Sequence, residues 1–237
     1  MRYLDRAGFP LRNALLVVDA ELLGRPTDDD KRAIYRKHPA LTGESMWDFQ
    51  LSFFKAFLAR LYFVKYLDFR LLHRWRGYMA GVLEHRFLTH DPDTNDLMFA
   101  PREREIARKG EAYYSDQAAM FDAPQPLGGT PFAPVIGPAS RARLEDIARV
   151  FAQHGTDARV VVSPLYDRRA LAAEDRAILE TLFGRQKVAD WSGVNAITID
   201  RHNYYETSHY RIAVACTILG HLYASSPDVR RPPARTP

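Results

Sequence analysis

The chain has 237 residues, of which 46% are hydrophobic and 26% charged, so it has ample material for a folded core. Its net charge is only +4, and residues 225–237 supply +2 of it, which argues against a nucleic-acid partner. The single cysteine, Cys216, excludes an internal disulfide framework, and no apolar run is long enough to span a membrane.

The first ninety residues predict one strand and one long helix. Residues 13–19 form a continuous apolar run, typical of a strand buried on both faces in a parallel sheet. Residues 46–68 form an amphipathic helix with Phe53, Phe57 and Leu61 on one arc. We expect this arc to face the core, and a membrane-surface or partner-docking role is the alternative.

Residues 89–138 differ in character from the rest of the chain. They hold seven prolines and the pair Gly128–Gly129, with little sustained periodicity. Such a stretch predicts a loop-rich insertion, which we expect to lie over one end of the sheet.

The second half alternates helices and strands. Its apolar patterns predict helices over 139–154 and 170–183, strands over 159–164, 187–190 and 196–200, and a last helix over 209–223. Thr207 or Ser208 is available as the N-cap of that last helix. The alternation predicts an α/β fold: a three-layer, flavodoxin-like sandwich with a mostly parallel sheet. Residues 1–224 then form one domain, and we expect the proline-rich residues 225–237 to be a disordered tail.

The segment Asn203–Arg211 carries the best candidate for chemistry. Glu206 precedes His209 by three residues, at a place where parallel α/β folds form their sites, the carboxyl end of a strand. Glu206 would accept a hydrogen bond from one imidazole nitrogen and leave the other to deprotonate a hydroxyl. The plainer interpretation is that Glu206 only complements the positive N-terminus of the last helix.

A metal site is a second use for the histidines of this region. His202, His209 and His221 lie close together in the sequence, but no second cluster supplies the remaining ligands. We therefore expect no metal and no cofactor.

The C-terminal third resembles a known superfamily. Asp190–Gly193 (DWSG), the segment 204–211 (YYETSHYR) and an apolar final helix together resemble the last block of the SGNH, or GDSL-type, hydrolases. That superfamily comprises esterases, lipases and carbohydrate O-acyltransferases, and its last block is Asp-X-X-His. The resemblance implies that His209 is the general base and that Glu206 replaces the aspartate that orients it. It covers residues 139–224.

The resemblance also implies a substrate class. Tyr210 and Arg211, which follow the histidine, resemble the branch that acts in bacterial cell-envelope O-acylation. We therefore expect a serine ester hydrolase or O-acyltransferase domain acting on acyl esters, acetyl among them, of a glycan. The alternative is a non-catalytic relative that binds a glycan or an acyltransferase partner. The tyrosine pairs 113–114 and 204–205 would suit such binding by stacking on sugars.

The nucleophile is the incomplete part of the resemblance. The superfamily places it in a Gly-Asp-Ser motif after the first strand, and the nearest string here is Gly43-Glu44-Ser45. Residues 93–96 loosely echo a further block, Gly-X-Asn-Asp, with Asn95 as the asparagine. Ser45 is therefore the candidate nucleophile, although it opens the helix at residue 46 as an N-cap would and follows no buried strand.

A second expectation follows from residues 13–19, which resemble the second strand of the SGNH fold. The first strand, its serine and any membrane anchor would then lie upstream of Met1, and this chain would be incomplete or inactive. The full product would be periplasmic or membrane-anchored. As written, residues 1–12 lack the apolar centre of a signal peptide, which indicates a cytoplasmic protein.

Overall fold

The structure, a computed structural model, describes residues 8–25, 38–58, 62–79, 89–90, 97–122 and 130–224. The chain divides into two compact units, which we call the sheet unit (residues 3–26 and 114–237) and the helical unit (residues 27–113). The predicted single domain over residues 1–224, with an insertion at 89–138, stays a prediction.

The elements follow in chain order. The described strands are β1 (Asn13–Val18), β2 (Thr89–His90), β3 (Leu97–Met98), β4 (Asp157–Val162), β5 (Val188–Asp190), β6 (Tyr204–Glu206) and β7 (His209–Tyr210). The described α-helices are α1 (Ala20–Gly24), α2 (Pro39–Thr42), α3 (Met46–Leu58), α4 (Tyr62–Leu72), α5 (Ala100–Lys109), α6 (Glu111–Ser115), α7 (Ala118–Phe121), α8 (Pro138–His154), α9 (Ala173–Phe183) and α10 (Ile212–Tyr223).

A parallel sheet of three strands, in the order β1-β4-β5, organises the sheet unit. In the register, Val18 pairs with Val162, and Val162 in turn pairs with Asp190. The predicted strands at 13–19, 159–164 and 187–190 are confirmed, as is the α/β class with a parallel sheet. The three-layer sandwich stays a prediction.

The predicted strand at 196–200 is wrong, because a turn occupies these residues. The side-chain oxygen of Asn195 accepts hydrogen bonds from the backbone N–H groups of Ile197 (2.9 Å) and Thr198 (3.2 Å). A short amide side chain that binds the backbone two and three residues ahead competes with strand pairing. These two hydrogen bonds hold the segment in a turn, although its β-branched residues favour a strand.

The two long apolar runs differ in burial. Val160, Val161 and Val162 of the central strand β4 are all buried, as a strand covered on both faces requires. In β1, which is an edge of the described sheet, Leu15 and Val17 are each 43% exposed. The prediction that β1 is buried on both faces is therefore wrong for its outer face.

The hydrophobic core of the sheet unit lies where α8 and α9 pack on the strands. Leu144 and Phe151 of α8 and Leu179 of α9 are buried against Val160 and Val162 of β4 in one apolar cluster. Both helices were predicted from their 3.6-residue spacing. Each ends at a glycine, which at α8 is Gly155 in the left-handed conformation with φ 60°.

A buried carboxylate connects α9 to the segment that leads into α8. Asp175, in the first turn of α9, is 1% exposed and accepts hydrogen bonds from the backbone N–H groups of Val135 (2.8 Å) and Ile136 (3.0 Å). The carboxylate thereby satisfies two donors of a segment without regular structure, as buried backbone groups require.

The predicted helix over 46–68 is two helices, α3 and α4. The ring of Phe57 contacts those of Phe63 and Tyr66, with centroids 5.8 and 5.7 Å apart. Residues nine positions apart in one straight helix would lie about 13.5 Å apart along its axis, so α3 and α4 are not one straight helix. No residue of either helix is buried, and the prediction of a core-facing arc is therefore wrong.

Three helices, α5–α7, occupy residues 100–121, so much of the predicted loop-rich stretch at 89–138 is helical. The predicted tail at 225–237 lies outside the described residues. Within the described ranges, no helix has both the length and the apolar character needed to cross a membrane.

Candidate active site

A β-hairpin, β6–β7, carries Glu206 and His209. The two residues face each other in the antiparallel register, across a turn at Thr207 and Ser208. The prediction that the last helix begins at His209, with Glu206 within one turn of its start, is wrong because α10 begins only at Ile212. The aromatic residues around them favour extended backbone over helix, since aromatic side chains suit a pleated surface.

The hairpin lies against the segment that leaves the carboxyl end of β4. The hydroxyl of Tyr204 donates to the backbone carbonyl oxygen of Pro164 at 2.9 Å. The backbone N–H of Tyr166 donates to the backbone carbonyl oxygen of Thr207 at 3.3 Å. The hydroxyl of Tyr210 is hydrogen-bonded to Ser163. The carboxylate–histidine pair therefore lies at the carboxyl edge of the parallel sheet, where α/β folds place ligand sites.

Glu206 and His209 are in direct contact through Oε1 and Nδ1. Ser208 adds two hydrogen bonds to the same carboxylate, from its hydroxyl to Oε1 (2.8 Å) and from its backbone N–H to Oε2 (3.1 Å). Burial alone would raise the pKa of Glu206, but the hydrogen bonds from His209 and Ser208 outweigh it and lower the pKa below its ordinary value. Glu206 is therefore ionised at neutral pH.

This charge state fixes the role of each nitrogen on the imidazole. An ionised carboxylate only accepts hydrogen bonds, so Nδ1 of His209 carries the proton that it shares with Glu206. In the neutral imidazole Nε2 is then the basic nitrogen. The side chain of His209 is 58% exposed and that of Glu206 30%, so the ring is accessible while its partner is more enclosed. The pair has the chemistry of a general base with its orienting group.

A second carboxylate–histidine pair lies nearby in the sequence and was not predicted. Nδ1 of His202 is 2.6 Å from Oδ1 of Asp200, and the backbone N–H of His202 donates to the same oxygen at 2.9 Å. Burial of Asp200 would raise its pKa, but the two bonds from His202 outweigh it and lower the pKa. The Asp-X-His spacing was the available signal. The ring of Tyr114 also meets His202 edge-on, at 4.7 Å between centroids.

The serines at this edge of the sheet have structural contacts. The hydroxyl of Ser192 donates to Asp190 at 2.6 Å and accepts from the backbone N–H of Leu171 at 2.8 Å, which closes the DWSG turn. Ser163 is paired with the hydroxyl of Tyr210. Ser208 is the one of the three that meets the imidazole, 3.3 Å from Nδ1 of His209, and Nδ1 is the nitrogen engaged by Glu206.

A narrow cleft opens at the carboxyl ends of all three parallel strands. Its polar lining comprises Asp19 after β1, Ser163 after β4, Ser192 after β5, and Arg169. The guanidinium of Arg169 lies 3.8 Å from the ring centroid of Phe132, and among the described residues its buried Nε has no hydrogen-bond partner. Arg169 therefore keeps one buried N–H donor that no described group accepts.

The structure places the candidate nucleophile Ser45 in the helical unit. Its hydroxyl accepts a hydrogen bond from the backbone N–H of Trp47 at 3.2 Å, which is the N-cap contact of α3. It follows α2 and Gly43 rather than a strand, as the sequence indicated. Asn95, the other residue carried over from the resemblance, lies outside the described residues.

The remaining candidates for a site are the histidines, as metal ligands, and the tyrosine pairs, as sugar-stacking groups. In the part of the chain that is described, no group of three or more His, Cys, Asp and Glu residues is arranged to hold a metal ion. The tyrosines proposed for sugar stacking, Tyr113, Tyr114, Tyr204 and Tyr205, are each at most 4% exposed. That interpretation is wrong, because buried rings already pack in the protein and present no face to a ligand.

Comparisons of the chain with models of protein families, with curated proteins and with solved structures found no match.

Proposed function

We propose that the sheet unit is a domain of the SGNH type, a three-layer α/β sandwich that hydrolyses or transfers acyl esters of a glycan. His209 is its general base, and Glu206 orients the imidazole and stabilises the imidazolium that forms during the reaction. The observation that carries this proposal is the contact between Nδ1 of His209 and Glu206, on a hairpin held at the carboxyl edge of the parallel sheet.

The chemistry follows from the two nitrogens. Nε2 of His209 takes the proton of a hydroxyl as its oxygen attacks the ester carbonyl, and Glu206 stabilises the imidazolium that forms. The imidazolium then returns the proton to the leaving alkoxide as the acyl–oxygen bond breaks. With a serine as nucleophile the product is an acyl-enzyme, which water or a second glycan hydroxyl resolves. With water as nucleophile the ester is hydrolysed directly.

Ester turnover by matched histidine variants tests the proposal. We expect wild-type protein to hydrolyse p-nitrophenyl acetate, and His209→Ala to lose about a hundredfold of that rate, the usual contribution of a positioned general base. His202→Ala is the matched control, because it removes a histidine that also bonds a carboxylate and leaves the β6–β7 pair in place. Equal rates for wild type and His209→Ala, or a selective loss in His202→Ala, would contradict the assignment of His209.

The nucleophile is identified by covalent labelling. A fluorophosphonate probe reacts with an activated serine, and peptide mapping of the labelled protein names it. Ser45→Ala abolishes the label if Ser45 is the nucleophile, whereas a label on another peptide transfers the role to that serine. Wild-type protein that shows neither labelling nor ester hydrolysis would overturn the proposed activity.

A further inference from the structure

The helical unit presents a large apolar surface. None of the 13 residues of α3 or the 11 residues of α4 is buried. We define the α3–α4 surface by its exposed apolar residues, which recur at helical spacing on each helix: Trp47 (85% exposed), Leu51 (47%), Phe54 (57%) and Leu58 (51%) on α3, and Val64 (50%), Leu67 (37%) and Leu71 (73%) on α4. The spacings are i, i+4, i+7, i+11 and i, i+3, i+7, so each set is one continuous stripe.

An exposed apolar surface of this kind is typical of a binding site. The aromatic side chains that join α3 to α4, Phe57, Phe63 and Tyr66, use another face of each helix and leave the stripes uncovered. Exposed apolar residues are ordinary when scattered singly, but contiguous stripes mark a site for a protein or a membrane. A helix that is apolar on most of its circumference, as α4 is, is stable in water only when it is covered.

The charge around the stripes selects the occupant. Residues 46–79 contain six lysines and arginines and only two aspartates. One of the aspartates, Asp68, is paired with Arg76 at 3.5 Å. On α3, Lys55 lies about 70° round the helix from the centre of the stripe, at 100° per residue, and it is exposed. A second copy of this chain would bring like charges together across the surface, whereas an anionic bilayer would neutralise them.

The residue types agree with a lipid surface. Trp47, the most exposed large apolar residue in the described chain, belongs to the amphipathic class that is enriched at membrane–water interfaces. Aromatic and aliphatic side chains on one face with lysine and arginine at its margins are typical of helices that lie in the plane of the interface.

We propose that the α3–α4 surface docks the protein on an anionic lipid bilayer. The stripes enter the boundary between headgroups and acyl chains, and described basic side chains beside them, such as Lys55, contact lipid phosphates. This inference concerns attachment and is independent of the proposed acyl-transfer site.

Co-sedimentation of the full chain with vesicles tests the docking. The probes are vesicles of phosphatidylcholine and phosphatidylglycerol in equal parts, and vesicles of phosphatidylcholine alone. We expect binding to the anionic vesicles, weakened by salt, and at least about tenfold weaker binding to the neutral ones. Phe54→Glu should lower the partition coefficient by at least about tenfold, because it places a charge in the apolar stripe. Leu22→Glu is the matched control, since Leu22 is an equally exposed apolar residue (56%) in the sheet unit.

Each remaining outcome overturns the proposal. Wild-type protein that stays in solution with both vesicle types has no lipid-docking surface. If Phe54→Glu and wild type bind the anionic vesicles equally, the chain contacts lipid through a surface other than the α3–α4 surface. Light scattering without lipid measures the oligomeric state. If the wild type is a dimer and Phe54→Glu is a folded monomer, the α3–α4 surface binds a second copy of this chain and not a bilayer.

Discussion

Replacement of Asp175 should measure how strongly one buried carboxylate holds the sheet unit together. Its two oxygens accept from the N–H groups of Val135 and Ile136 at 2.8 and 3.0 Å, and the side chain is 1% exposed. Asp175→Ala removes both acceptors and leaves two backbone donors without them. Asp175→Asn keeps one carbonyl oxygen and replaces the other acceptor by an N–H₂ group, which opposes the second donor.

The magnitude follows from the number of bonds lost. A hydrogen bond to a charged group contributes about 1.5–3 kcal/mol, and the lower end applies because Val135 and Ile136 are half-buried. We therefore expect Asp175→Ala to lower the free energy of unfolding by about 3 kcal/mol, and Asp175→Asn by about 1.5 kcal/mol. Asp175 also lies in the first turn of α9, where its negative charge complements the helix N-terminus, which adds to the loss in both variants.

Urea unfolding followed by circular dichroism measures the loss. A decrease of about 3 kcal/mol moves the midpoint by about 1–3 M, because urea slopes are about 1–3 kcal/mol/M. Asp146→Asn is the control, because Asp146 is a partly exposed carboxylate of α8 that contacts Arg149 at 2.7 Å. Exposed pairs of this kind contribute about 0–1 kcal/mol. Equal midpoint shifts for Asp175→Ala and Asp146→Asn, or an alanine variant no less stable than the asparagine variant, would refute this role of Asp175.

Three further outcomes follow from the sheet unit. Leu179→Ala, at a fully buried position between α9 and the sheet, should cost about 2–5 kcal/mol in urea unfolding, and a cost below 1 kcal/mol would contradict its place in the core. Gly193→Ala should cost more than Gly155→Ala by the same measurement, because both have positive φ but only at Gly193 would the new Cβ meet another side chain, Ala170 at 3.2 Å. The lowered pKa of Glu206 means that its stabilisation is fully present above the ordinary carboxyl pKa and is lost as the pH falls through the folded-state pKa. The stability difference between wild type and Glu206→Gln should therefore shrink between neutral pH and about pH 3, and a difference that grows on acidification would refute the shift.

The sequence predicted those elements whose local preference agrees with their place in the fold. Helix α8 has apolar residues at helical spacing and a glycine at its end, and β4 is a run of valines, so both follow from pattern alone. The segment 196–200 has an equally plausible strand pattern. There the side chain of Asn195 binds the backbone two and three residues ahead, a contact that hydrophobic periodicity does not register.

The candidate site was predictable only in the part that depends on residues close in the sequence. The spacing of Glu206 and His209 suggested that they would meet, and they do, but on a hairpin rather than a helix start. The pair Asp200–His202 has an equally plain Asp-X-His spacing, which the interpretation of His202 as a metal ligand does not use. No pattern in the chain indicated that Tyr204 would hold the hairpin against Pro164, because that contact joins residues forty positions apart.

What the sequence determined by itself is local: the parallel-sheet strands, the periodic helices, and the carboxylate three residues before a histidine. What only the tertiary structure decided is which apolar faces are covered. The run 13–19 and the helical pattern of 46–68 both suggested burial, yet Leu15, Val17 and every residue of α3 and α4 lack full cover in the folded chain. An apolar pattern in the sequence shows that one face of an element is hydrophobic. Which surface covers that face depends on packing against distant parts of the chain or on a binding partner.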